Sequence, residues 1–185
     1  MRRTILLLML VAAMSCLALG QTNVKGIGYI QNSNSSAGAQ CLRENLSVKE
    51  GDTDAAMGGV RVTTYIFTNK SSSPCTLNGY PRVVLLNRAG RVARRAANSN
   101  ALTGESVDDA KPPQQATIEP GKTVWFNIYY NNGGAGHEGK PCPTYPKVRI
   151  TAPGTTRAFV LRGDIQSCGR TDFQVSPVRS GSPQQ

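Results

Sequence analysis

The chain has 185 residues, with 21 Lys+Arg against 11 Asp+Glu and a single His. That length suits one domain with a substantial core and is short for two. With 39% apolar and 17% charged residues, 19 Gly and 11 Pro, wholesale disorder and a long coiled coil are both excluded.

Residues 1–20 read as an address rather than as fold. Met1-Arg2-Arg3 is a short basic start, residues 5–11 are an apolar run, and Ala18-Leu19-Gly20 places small residues before Gln21. These are the three regions of a secretory signal peptide, and the run is too short to span a bilayer. The pattern around Arg2-Arg3 favours general secretion over a twin-arginine route. Cys16 offers a competing reading as a lipid anchor. Ala13-Met14-Ser15-Cys16 lacks the Leu and the small residue that a lipobox places before its cysteine, so a discarded peptide residue is preferred. No later stretch approaches the apolar length of a membrane helix. The mature chain is therefore expected outside the cytoplasm, in the periplasm or cell envelope or secreted. Residues 1–20 hold two of the 21 basic residues and no acid, so 19 basic residues remain and the net charge becomes +8.

Four further cysteines, Cys41, Cys75, Cys142 and Cys168, form an even set in an exported chain and imply two disulfides. Four cysteines admit three pairings. The two sequence-local closures, Cys41–Cys75 and Cys142–Cys168, are expected, and each would remove about 3 kcal/mol of unfolded-state freedom. Zinc needs short Cys-x-x-Cys pairs, which these spacings do not supply.

In chain order, residues 21–40 are low in complexity and read as a flexible tether. The folded domain is expected over 41–178, with a disordered tail at 179–185. Val60, Val62, Thr64 and Ile66 alternate with Arg61, Thr63, Tyr65 and Phe67. Val124, Phe126, Ile128 and Tyr130 alternate with Trp125, Asn127 and Tyr129. This is strand periodicity, and large side chains on both faces point to inner strands. Further strands are expected at 46–50, 82–86, 91–96, 147–151, 157–161 and 172–178. Asn87-Arg88-Ala89-Gly90, Glu119-Pro120-Gly121-Lys122 and Ala152-Pro153-Gly154 supply turn chemistry between them. About eight short strands with no amphipathic helix indicate an all-β, antiparallel β-sandwich, with a closed barrel as the alternative. Residues 97–117 and 131–143 are the two long loops.

Cys41, the run Thr68-Asn69-Lys70-Ser71 and the block Pro74-Cys75-Thr76-Leu77-Asn78-Gly79-Tyr80-Pro81 resemble the core motif of the domain-of-unknown-function 4232 family. Asn87 to Gly90, Pro120-Gly121, Cys142-Pro143, Pro153 and Cys168 continue the resemblance over about residues 41–177. It implies an exported bacterial protein, often a lipoprotein, with an immunoglobulin-like sandwich. It supplies no catalytic residues. A bottom-up account of the block is architectural: Gly79 permits a turn hostile to Cβ, Tyr80 buries its ring, and Pro81 precedes a strand. The sequons at Asn34, Asn45 and Asn69 matter only in a eukaryotic host.

Catalytic signals are weak. Gly121-Lys122-Thr123 resembles the end of a phosphate loop, but position 116 is Ala and a strand follows. Gly104-Glu105-Ser106-Val107-Asp108 lacks the last Gly of a nucleophile elbow. Asp52/Asp54 and Asp108/Asp109 read as solvated turn acids. His137, beside Glu138, carries the rival function: an extracytoplasmic enzyme or metal-binding protein. No metal or other cofactor is expected.

The basic surplus points elsewhere. Arg82, Arg88, Arg91, Arg94 and Arg95 crowd one expected hairpin, and Arg88, Arg91, Arg94 and Arg95 are taken as the contact surface. Outside the cytoplasm the relevant partners are anionic envelope polymers or another envelope protein. Without a module of interleaved aromatics, nucleic acid is not the expected partner. The function expected is a non-catalytic envelope module that binds or serves structurally.

Overall fold

The structure, a computed structural model, describes residues 38–55, 57–99, 113–133, 141–168 and 173–183. The signal-like segment with Cys16, nearly all of the expected tether, Asn34, Glu105, Asp108, Asp109, His137 and Glu138 lie outside them. Among the described residues eleven strands form. They are β1 Leu46–Ala55, β2 Val60–Asn69, β3 Cys75–Leu77, β4 Arg82–Leu86, β5 Val92–Arg95 and β6 Ala97–Asn98. β7 Ala116–Ile118, β8 Thr123–Asn131, β9 Thr144–Thr151, β10 Phe159–Gln166 and β11 Gln174–Val175 follow.

The two strongly alternating segments become the centre of a five-stranded sheet of order β1-β2-β8-β11-β6. Tyr65 stands opposite Phe126 and Phe67 opposite Val124, so one face collects the aromatic and branched side chains of both strands. The rings of Tyr65 and Phe126 stack at 5.6 Å, and Phe67 lies 5.3 Å from Phe126. A second sheet, ordered β10-β9-β4-β5, presents Val83, Leu85, Val148 and Ile150 to this face, all buried. Phe67 reaches Phe159 of that sheet at 6.2 Å. The layers thus bury one shared core, which is the solution an apolar sheet face requires. Their separate edges make a sandwich and not a closed barrel.

β3 and β7 form a two-stranded sheet of their own. Cys41 is bonded to Cys75 at the start of β3, and Cys142 before β9 is bonded to Cys168 after β10. Both expected pairings are present.

The turns follow their residues. Lys122 N–H donates to the Glu119 carbonyl at 2.9 Å, and Gly121 supplies the positive φ of 73° that a type II turn needs. Gly90 N–H likewise donates to the Asn87 carbonyl at 2.9 Å.

Three expectations are revised. There are eleven strands rather than about eight: β3, β6 and β7 hold only two or three residues each, too few to show a period. Ala39 and Gln40, counted in the expected tether, are held to the domain: Ala39 accepts from Thr76 N–H at 2.9 Å and Gln40 bridges Thr76 beside β3. The expected strand over 172–178 contracts to Gln174–Val175, since Pro177 has no N–H to extend the ladder. Past it, Arg179 exchanges backbone bonds with Trp125 at 2.8 and 3.0 Å, so it belongs to the sheet edge rather than to a free tail.

Candidate functional site

In β4, Val83 and Leu85 point into the core, so the pleat turns Arg82, Val84 and Leu86 outward. The ladder extends this outer face. Arg82 stands opposite Thr151, Val84 opposite Arg149 and Leu86 opposite Lys147. On the other flank Val84 faces Arg95 of β5. On β10, Val160 faces Arg149 and Arg162 faces Lys147. Residues directly opposite in a ladder share a face, so Arg82, Arg95, Lys147, Arg149 and Arg162 stand together on one side of the four-stranded sheet. Among the described residues none of the five makes an ion pair or a side-chain hydrogen bond.

Over Val84 the face is hollowed into a groove of about 290 Å³, lined by Arg82, Val84, Arg95, Arg149, Thr151, Thr156 and Ala158. Val84 is 2% exposed and forms an apolar floor. The described acids lie elsewhere. Glu50, Asp52 and Asp54 occupy the outer half of β1, an edge strand of the opposite sheet, where charges guard an open edge against pairing. Asp164 sits in the register shift of β10, beyond Arg162. None of these acids lines the groove.

The four arginines singled out in the sequence part company. Arg88 and Arg91 are exposed at the β4–β5 turn, and Arg95 lines the groove. Arg94, opposite Leu85, turns inward instead. Its guanidinium donates to Ser167 Oγ and to the Cys168 carbonyl, the latter at 3.0 Å, and lies 5.6 Å from the centre of the Phe173 ring. Arg94 ties β5 to the segment closed by the second disulfide. Lys147, Arg149 and Arg162 escaped the sequence reading, because only strand register brings β9 and β10 to Arg82 and Arg95.

The remaining motifs are architectural. Asn69 is fully buried. Its Nδ2 donates to the Ser73 and Ile118 carbonyls at 2.8 and 2.9 Å, and its Oδ1 accepts from Ser71 N–H and Oγ–H at 2.9 and 2.7 Å. An amide so engaged cannot receive a glycan in the folded chain. Gly79 has φ 98°, Tyr80 packs half-buried against the core, and burial raises its hydroxyl pKa while Arg179 offsets the rise. Gly121-Lys122-Thr123 is the turn into β8. Among the described residues no three His, Cys, Asp or Glu side chains converge on a metal site, and the four cysteines described are all in disulfides.

These elements match a described family. The domain of unknown function 4232 matches residues 41–179, from the first disulfide cysteine to the arginine bonded to Trp125. The chain belongs to this family. No curated protein matches the chain. In this 4232-family domain Cys75, Gly79 and Tyr80 serve the sandwich, and the cationic face lies on strands outside the Cys75–Pro81 block.

Proposed function

We propose that this 4232-family domain is a non-catalytic module of the cell envelope that binds anionic envelope polymers through the outer face of its four-stranded sheet. The observation that carries this is the set of five cations, Arg82, Arg95, Lys147, Arg149 and Arg162, unpaired among the described residues and sharing one face in register. A single-sign face raises the local concentration of a polyanion and steers its approach. The groups there are guanidinium, ammonium and hydroxyl. None is a base at neutral pH, so the face suits holding an anion better than transforming one.

Location follows the same line. Two disulfides fit an oxidising compartment, and residues 1–20 carry the signal-peptide pattern. Among the described residues no helix is long and apolar enough to cross a membrane.

The test is retention on an immobilised anionic polysaccharide, set against a neutral one, at moderate salt. The proposal expects retention on the anionic support only, lost in an Arg82→Gln/Arg149→Gln/Arg162→Gln variant. Equal behaviour on both supports, or full retention of the variant, would refute it.

A further inference from the structure

We propose that the groove over Val84 is a binding site for a phosphoryl group, the tetrahedral oxyanion that links a phosphate polymer or heads a phospholipid. This rests on the polyanion reading of the face and narrows it to one chemistry and one place.

Three guanidinium groups, from Arg82, Arg95 and Arg149, border a single concavity of about 290 Å³. They come from three adjacent strands: Arg95 and Arg149 flank Val84 on either side, and Arg82 is the next outward residue of β4. Thr151 and Thr156 add hydroxyl donors to the same wall. Among the described residues no carboxylate lines the space and no partner engages the three forks.

An arginine fork carries a permanent charge and offers parallel N–H donors that match two oxygens at a time. A carboxylate has two oxygens in one plane and is satisfied by one fork. A phosphoryl group spreads its oxygens tetrahedrally, so forks arriving from separate strands can each meet a different edge. The volume lies at the lower limit of small-molecule sites, which suits one anionic group with its adjoining linker. Among the described residues no aromatic side chain lines the groove, so a nucleobase would find no stacking surface among them.

The test titrates the purified full chain at fixed low ionic strength with four probes. They are inorganic phosphate, poly(glycerol phosphate), phosphatidylglycerol vesicles, and polygalacturonate as a carboxylate polymer. Phosphate is expected to move the amide resonances of Val84, Arg149 and Thr151. A phosphate carrier is expected to bind about tenfold more tightly than polygalacturonate. Tighter binding to the vesicles assigns the group to lipid, and tighter binding to the soluble polymer assigns it to a polymer. Arg95→Gln/Arg149→Gln should abolish the preference with the fold intact by melting. Arg82→Gln, at an exposed position, should weaken it independently, and Arg88→Gln/Arg91→Gln should leave it in place. Equal affinity for the phosphate and carboxylate polymers, or a preference that survives both groove variants, overturns the phosphoryl site and leaves the polyanion reading standing. Failure to bind any polymer or vesicle removes both.

Discussion

Arg94 and Arg95 are neighbours in the chain and face opposite sides of β5. Arg95 stands opposite Val84 and lines the outer groove. Arg94 stands opposite Leu85 and is spent internally on Ser167, the Cys168 carbonyl and the Phe173 ring. The pleat thus sends two identical side chains to opposite faces, one bonded within the fold and the other lining the groove.

The division predicts opposite phenotypes. Arg94→Gln leaves buried Ser167 and the Cys168 carbonyl short of a charged donor, and is expected to cost about 1–3 kcal/mol. Its affinity for an anionic polymer should match that of the parent. Arg95→Gln should bind more weakly and unfold at the parental denaturant midpoint. Urea unfolding beside a binding isotherm for each variant checks this. A loss of affinity in Arg94→Gln without loss of stability would contradict it.

Asn69 holds the loop of Ser71 and Ser73 to Ile118 of β7 by four side-chain hydrogen bonds. Asn69→Ala orphans two carbonyls in a closed site and is expected to lower unfolding free energy by about 2–4 kcal/mol. Ser71→Ala removes a smaller part of the same network and should cost about 1 kcal/mol. Equilibrium unfolding of the two variants gives the order, and a milder effect at Asn69 than at Ser71 would show that the network is misassigned.

Tyr65 is fully buried, and its hydroxyl donates to Glu50 Oε2 at 3.2 Å. Burial first, and then the Glu50 charge, raise its pKa above the ordinary 10.0. The unfolded chain ionises at the ordinary value while the folded chain does not. Stability is therefore complete below about pH 10 and falls as pH rises beyond it. The melting temperature should hold up to about pH 9 and decline above about pH 10. Tyr65→Phe should shallow that decline, with Tyr80 supplying the residual slope. An unchanged alkaline limb in Tyr65→Phe would place the transition elsewhere.

Much of the fold is legible because the central strands are long. Nine or ten residues of alternation in β2 and β8 leave little choice of structure, and Gly90, Gly121 and the prolines mark where the chain must reverse. Which face becomes the core is less legible, since Val62, Ile66, Trp125 and Tyr129 are as apolar as Tyr65, Phe67, Phe126 and Ile128. The short strands β3, β6 and β7 exist only through partners distant in sequence, as when Cys75 pairs Ile118. Asn69 is present in the sequence as a sequon and a motif residue, but its role depends on Ile118 arriving 49 positions later.

The candidate site divides in the same way. Arg82 to Arg95 is a local hairpin whose charge is visible in the sequence. Lys147, Arg149 and Arg162 join it only through the β4–β9 and β9–β10 ladders. A one-residue slip would send each of them to the other face, and the register shift between Leu85 and Leu86 adds an irregularity that periodicity does not reveal.

The most direct measurement is the salt dependence of binding to a soluble anionic polymer, for the parent and for Lys147→Gln/Arg149→Gln/Arg162→Gln. If this sheet face neutralises the polymer, the logarithm of affinity falls linearly with the logarithm of salt concentration. Removing three cations should then flatten the slope by about three. An affinity insensitive to salt, or a slope that the triple variant leaves unchanged, would contradict the assignment of this face as the polymer-binding surface.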